Sequence, residues 1–324
     1  MTKADVARQY RDKYPDWPTL KLARVMRKKE PLMFSSDENA RDVLRGIEGK
    51  HGSGNRLKKT HPAPPRPYNP YKLPESDETS FEPFVLKGHK RVLGLFDIHA
   101  PYHSREALTA ALDFAKKEKP DAVVLGGDLF DFHGLSKYMK DPRKKDFVSE
   151  IKIGCEVIQS IQRVTKAPVY FKLGNHDERY QHFLWTKAGE IAGLDDFQLE
   201  TIIKKRVSDI TIIDEKRIIK TGDLNIVHGH EFPSSIMSPV NVARGLYLRA
   251  KSSTLCGHHH RTSEHTEQDI NGKIITTWSV GCLSELHPAY MPINSWNHGF
   301  VLIDLHGRKE FEVRNKRIWK GKIL

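Results

Sequence analysis

Five short runs of candidate ligands stand in order along this chain. They are Asp97-Ile98-His99, Gly127-Asp128-Leu129-Phe130-Asp131, Gly174-Asn175-His176-Asp177, His228-Gly229-His230 and Gly257-His258-His259-His260. Each follows an apolar stretch that reads as a buried strand. Carboxylates, an amide oxygen and imidazoles gathered at strand ends form the donor set for two divalent cations. Two such cations need a shared anionic ligand, which Asp128 can supply. Asp97 and His99 are two residues apart, so both can point to one face of an extended exit. His258 and His260 share that spacing and can serve one cation each, which turns His259 the other way. His228 and His230 both suit the fourth run, and His228 stands nearer the end of its strand. A cation pair lowers the pKa of a water to about 7 and polarises phosphoryl oxygens, which is hydrolytic chemistry. One Asp-x-His usually just caps a loop, whereas five runs in series describe a site.

The motif set resembles the calcineurin-like metallophosphoesterase superfamily across residues 90–310. The resemblance implies that Asp97, His99, Asp128 and His260 hold one metal, and that Asp128, Asn175, His228 and His258 hold the other. It makes His176 the acid that protonates the leaving oxygen and Asp131 the carboxylate that orients His176. The Gly-Asn-His-Asp run with Arg179 just beyond is similar to phosphoesterases encoded by bacteriophages. Two positions depart from the superfamily's phosphoprotein phosphatases. Phe132 stands where those enzymes have an Arg, and Asp177 where they have a Glu. Losing that Arg removes a bidentate phosphate clamp, which argues against a Ser/Thr protein phosphatase. The Gly-Asp-Leu-Phe-Asp run is closer to the DNA-repair nucleases of the superfamily. The expected activity is therefore two-metal hydrolysis of nucleic-acid or nucleotide phosphoesters. The alternatives are a phosphomonoesterase on proteins or small molecules, and a non-catalytic nucleic-acid-binding or scaffold protein that keeps a metal. The intact ligand set and His176 argue against the last. Mn²⁺ is the favoured metal, and the mixed O/N donor set also accepts Fe, Zn, Mg or Ni.

Candidate phosphate contacts are Arg179 and Arg261, each close behind a motif, and His133, just after Asp131. Residues 136–147 form a basic run with Tyr138 and Phe147 interleaved, a candidate strand-guiding rim. Trp278, Trp296 and Phe300 read as core. So do Cys155, Cys256 and Cys282, although Cys256 lies beside a metal motif.

The elements that must position these residues follow from periodicity. Apolar runs at 92–96, 122–125, 169–173, 224–227, 254–256, 274–280 and 300–305 predict strands, and 104–117 and 147–164 predict helices. The expected fold class is α/β: two packed mixed sheets flanked by helices, over residues 90–324. Residues 1–50 predict three short helices, 5–13, 18–29 and 37–48, with Ser35 or Ser36 capping the third and Gly49 ending it. This pattern suits a helix-turn-helix. Residues 1–60 hold fifteen Lys and Arg against eight Asp and Glu, a net +7 of the chain's +12. Nucleic acid is the expected partner, with Arg41 and Arg45 on one face of the third helix as candidate contacts; a protein-docking bundle is the alternative. Residues 51–89 predict a linker, flexible at His51–Gly54 and stiffened by Pro62, Pro64, Pro65, Pro67, Pro70 and Pro74. No run is long and apolar enough for a membrane span. Three cysteines without close pairing predict a reducing cytoplasm, that of the host if the protein is phage-encoded. Oligomeric state stays open.

Overall fold

A computed structural model describes residues 2–15, 17–50, 70–71, 73–74, 81–136, 146–214, 216–233, 240–307 and 309–324. The linker prolines Pro62, Pro64, Pro65 and Pro67, and the basic run with Tyr138, lie outside the described residues. The chain divides into two compact units, Met1–Thr79 and Ser80–Leu324.

The first unit holds three helices, α1 (Lys3–Lys13), α2 (Thr19–Lys29) and α3 (Asp37–Ile47). Thr2 and Asp5 form a reciprocal cap on α1: the Thr2 hydroxyl accepts from Asp5 N, and the Asp5 carboxylate accepts from Thr2 N. Ser36 caps α3 by accepting from Asn39 N at 3.0 Å. Leu22, Met26, Phe34 and Leu44 are fully buried among the three helices. Beneath them Arg11 and Glu48 form a buried ion pair, and the Thr19 hydroxyl donates to the same carboxylate. Charge is unevenly shared between the helices. α2 carries Lys21, Arg24, Arg27, Lys28 and Lys29 and no acidic residue. On α3, Arg41 lies 3.2 Å from Glu38, and Arg45 lies 3.8 Å from Glu38 and 3.9 Å from Asp42.

The second unit begins at Ser80, ahead of the expected residue 90, because Phe84 and Val85 pair with Ile219 and Lys220. Its strands among the described residues are β1 (Phe84–Val85), β2 (Arg91–Leu95), β3 (Ala122–Leu125), β4 (Val169–Lys172), β5 (Ile210–Ile213), β6 (Ile219–Thr221), β7 (Leu224–Val227), β8 (Thr254–Cys256), β9 (Ser263–Gln268), β10 (Ile274–Ser279), β11 (His298–His306), β12 (Glu310–Trp319) and β13 (Lys322–Ile323). One sheet runs β1-β6-β7-β8-β10-β9, the other β13-β12-β11-β2-β3-β4-β5. β2, β3, β4 and β5 are parallel neighbours, as are β7, β8 and β10. The helices are α4 (Arg105–Glu118), α5 (Phe147–Thr165), α6 (Glu178–Lys187), α7 (Leu199–Lys204) and α8 (Val242–Ala250).

Alternation along the central strands builds the layers. Val92, Val124, Val301 and Ile303 meet Ile226, Leu255 and Trp278 between the two sheets. Leu93, Leu95, Val123 and Leu125 face the other way and pack on Ala111 of α4 and Ile158 of α5. Val227 and Cys256 pack on Val242 and Leu246 of α8. A strand buried on both faces must be apolar throughout, which explains why β3 reads Ala-Val-Val-Leu. The result is the expected α/β sandwich, with the C-terminal ends of β2, β3, β4, β7 and β8 carrying the five motifs.

The Arg11–Glu48 pair sets an expectation for the first unit. Glu48→Ala leaves a buried guanidinium uncompensated and should cost about 3–5 kcal/mol. Hydrogen exchange read by mass spectrometry should show faster exchange through α1–α3 with residues 90–324 unaffected. Unchanged protection in the helices would show that the pair adds nothing.

Candidate metal centre

Five of the seven candidate ligands leave their strands through a backbone that few residues tolerate. Asp97, His99, Asp128, His258 and His260 all have φ between 50° and 66°. This left-handed region is sparsely populated outside Gly, Asn, Asp and His, and it clusters at functional sites. Gly127 reaches φ 109°, and a β-carbon there would overlap the His228 ring.

The loops are tied together mainly by Asp177. Its Oδ2 accepts from Asp128 N and from Gly174 N, both at 2.8 Å, and its Oδ1 accepts from Phe130 N at 3.0 Å. Burial, with the Asp128 charge nearby, pushes the Asp177 carboxyl up to about 7, while its backbone donors favour the charged form. A second tie comes from Glu231, which accepts from His228 N at 3.0 Å and from Gly229 N. Fully buried Lys172 lies 2.8 Å from that carboxylate and donates to Arg217 O. Neither Asp177 nor the Lys172–Glu231 pair was singled out from the sequence as holding the site.

Ligand atoms converge in three groups, each with its atoms within 4.8 Å: Asp97, His99 and His260; His99, Asp128 and His176; Asp128, His228 and His258. Asp128 Oδ1 is engaged by His176 N at 2.8 Å. That leaves Oδ2, which lies 3.7 Å from His99 Nε2 and 3.2 Å from His228 Nε2, as the oxygen both halves share. Asp97 accepts from His258 N and lies 3.5 Å from His260 Nε2. Asn175 Oδ1 is 3.1 Å from His228 Nε2.

The donor chemistry fits cations. His228 donates through Nδ1 to Gly126 O, and His99 through Nδ1 to Asp131 Oδ1 at 3.1 Å. Their Nε2 lone pairs then face inward. His228 Nε2 meets two oxygen acceptors, and His99 Nε2 lies 3.3 Å from His260 Nε2. Buried lone pairs repel unless a proton or a cation lies between them. The electrostatics agree. Burial disfavours the His228 charge, but Asp128 outweighs it and pushes the imidazole up to about 9. His260 is likewise raised by Asp97 against the cost of burial, and Asp97 and Asp128 are held below the usual carboxylate range. Burial and the nearby His228 bring His258 down to about 3, so it offers a lone pair.

His230 lies outside these groups; its Nε2 is 3.1 Å from Glu178 Oε1. His259 is also outside them, and its buried Nε2 finds no partner among the described residues. The Cys256 thiol is buried in the core and pushed up by burial. Asp131 Oδ1 is 3.1 Å from His176 Nδ1 as well as from His99 Nδ1, so one carboxylate holds both rings. Arg179 donates to Asp131 O at 2.9 Å and lies 3.0 Å from His176 Nε2. Phe132 is fully buried and stacks on Phe130 at 4.9 Å, so nothing at that position reaches phosphate. Arg261 turns to Ser295 Oγ at 3.3 Å, away from the ligand groups. His133 lines a cavity of about 400 Å³ beside His99, Asp131 and His260. Trp278 and Phe300 are core, but Trp296 is not. Its ring sits 4.1 Å from His260 and lines that cavity.

Asp128→Asn replaces the one shared anionic oxygen by a neutral amide, which cannot offset two positive charges. Elemental analysis and isothermal titration with Mn²⁺ should show at least one metal lost, together with turnover. Two metals held at undiminished affinity would remove Asp128 from the shared position.

The sequence profile described as calcineurin-like phosphoesterase matches residues 90–272. The Gene 54 protein of Mycobacterium phage L5 is 26% identical over 232 residues, covering 68% of this chain and 90% of that protein. Its counterpart in Mycobacterium phage D29 is 27% identical over 233 residues, with 67% and 90% covered. Among solved structures, vacuolar protein sorting 29 from Cryptosporidium parvum aligns with a TM-score of 0.40 at 16% identity, over 73% of this chain and 95% of that one. A dimetal phosphatase from Danio rerio aligns with a TM-score of 0.38 at 11% identity, over 72% and 98%. With the profile spanning more than half of its length, the chain belongs to the calcineurin-like phosphoesterase family.

Proposed function

We propose that this phosphoesterase hydrolyses phosphodiesters of nucleic acids or nucleotides. The observation that carries the reading is that, among the described residues, one guanidinium stands beside the acid. Phe132 is turned into the core, and the guanidinium that reaches His176 is that of Arg179. A diester carries one negative charge and a monoester close to two at neutral pH, so one guanidinium suits the diester.

The residues that would hold two divalent cations are Asp97, His99, Asp128 and His260 on one side, and Asp128, Asn175, His228 and His258 on the other. Two cations there, for which we favour Mn²⁺, supply nucleophilic hydroxide near neutral pH and offset charge on the phosphoryl oxygens. Asp131 fixes the His176 ring through Nδ1 and raises its proton affinity with Asp128, against the cost of burial. His176 Nε2 then gives its proton to the leaving oxygen. Arg179 donates to that nitrogen in the resting arrangement, which leaves Nε2 unprotonated. A phosphate oxygen is a stronger acceptor for the guanidinium. Substrate arrival draws Arg179 away, and Nε2 then takes up from solvent the proton that it gives to the leaving oxygen.

The phage origin of the Gene 54 proteins and the buried free cysteines support a place in the host cytoplasm. No helix among the described residues is long and apolar enough to cross a membrane. The first unit supports a nucleic-acid partner through α2. The Arg41 and Arg45 charges are met by carboxylates of their own helix, whereas Lys28 and Lys29 are exposed on a helix without acids. Phosphate contacts there supply affinity without reading sequence.

Two measurements test these readings. With Mn²⁺, a dinucleotide should be cleaved with higher kcat/KM than a nucleoside monophosphate. His176→Ala should keep both metals and lose about 10²–10⁴ in rate on the dinucleotide. The loss should be far smaller for a nitrophenyl diester, whose leaving group needs no proton. Preference for the monoester would overturn the diester reading, and equal losses on both leaving groups would overturn the role of His176. For the first unit, Lys28→Gln with Lys29→Gln should weaken duplex binding in fluorescence anisotropy. It should flatten the slope of log affinity against log salt by about 1.8, at about 0.9 per phosphate contact. Arg41→Ala with Arg45→Ala should change the slope less. If the first pair leaves affinity and slope intact, the helices dock a protein instead.

A further inference from the structure

The cavity beside the ligand groups has walls that phosphate chemistry does not require. It encloses about 400 Å³, within the range of pockets that seat small molecules. His99, Asp131 and His260 form its inner end, so an occupant is continuous with the reacting phosphorus. The rest of the wall is largely aromatic. Trp296 packs against His260 on one side, and Tyr290 meets it edge-on at 6.4 Å between centroids. Tyr290 is 63% exposed and Tyr102 47% exposed, so large rings face solvent at the mouth. Among the described residues, no Lys or Arg lines the cavity, so a second phosphate finds no cationic partner among them.

Ser284 lies on the wall of the cavity. Ser284 is 4% exposed, yet its Oγ finds no hydrogen-bond partner among the described residues. A buried hydroxyl without a partner is costly, and an occupant with a polar edge relieves that cost. Exposed Glu285 adds an acceptor on the same wall. The segment that carries these groups is braced. Asn294 Nδ2 donates to Leu286 O and Met291 O, and His287 Nδ1 lies 3.0 Å from Pro292 O. An occupant therefore meets a wall set in advance.

Flat rings, an unmatched hydroxyl, an acceptor and no cation describe a site for a planar, neutral, hydrogen-bonding group joined to a phosphate. We propose that this cavity is a nucleobase subsite. The base next to the scissile phosphate stacks on Trp296 and Tyr290 and hydrogen-bonds to Ser284. The inference rests on the diester reading and deepens it, since it places a recognised base on one side of the cleaved bond.

The test uses the full chain loaded with Mn²⁺ and three substrates that share one phosphodiester. These are a thymidine dinucleotide and its two analogues lacking one base or the other. Base-on-aromatic stacking predicts that one analogue loses about 5- to 100-fold in kcat/KM while the other loses little. Trp296→Ala and Tyr290→Ala should each reduce that ratio, mainly through KM, and Trp296→Phe should retain most of it. Equal handling of all three substrates by the unaltered protein would overturn the subsite and leave the diester reading intact. So would variants that slow every substrate alike, because Trp296 would then act only by packing against His260. If the unaltered protein cleaves none of the three yet hydrolyses a monoester, the diester reading fails, and the subsite with it.

Discussion

Acceptor atoms repel, and this site requires several of them within 4.8 Å of one another in a largely buried place. Most of what surrounds the centre answers that constraint. The Asp177 carboxylate takes three backbone donors from two loops, so Asp128 and Asn175 are fixed by chain geometry rather than by their own attraction. The Lys172–Glu231 pair does the same for the loop that carries His228. Five ligands in left-handed backbone are a further sign that local preference has been overridden by its surroundings. A site that is unfavourable by itself needs a frame that is stable without it, and the doubly buried parallel strands provide one.

The readable parts of this molecule were those where sequence and environment agree. β2, β3, β4, β7 and β8 are buried on both faces, so each appears as an apolar run, and the ligands follow where the run stops. Exposed edges leave no such trace. β9, Ser-Glu-His-Thr-Glu-Gln, is almost wholly polar because it has no neighbour on one side. β12 alternates charged residues with Phe311 and Val313 because only one of its faces packs on the core. α6 follows the third motif directly, and α8 has only nine residues, too short to show a period. The two-residue strand β1 lies below any pattern, which is why the second unit begins earlier than composition indicates.

Side-chain direction was the other hidden quantity. Spacing placed His228 ahead of His230, and the structure turns His228 inward and His230 toward Glu178. Spacing could not show that Trp296 leaves the core to line the cavity, nor that Arg41 and Arg45 face carboxylates one turn away on their own helix. A helix rich in arginine is cationic only if its acids lie elsewhere. By that standard Lys28 and Lys29, exposed at the end of a helix without acids, differ from Arg41 and Arg45.

The candidate ligands come from both layers of the sandwich. Asp97, His99, Asp128 and Asn175 stand on loops from the seven-stranded sheet, and His228, His258 and His260 on loops from the six-stranded one. An ion bound by residues of both sheets is a rivet through the seam between them. Whatever binds only the folded form adds to its stability by mass action. The cohesion of the two layers is therefore set in part by the supply of metal in the surrounding cell. Under metal starvation this protein would lose its activity and part of the joint between its sheets together.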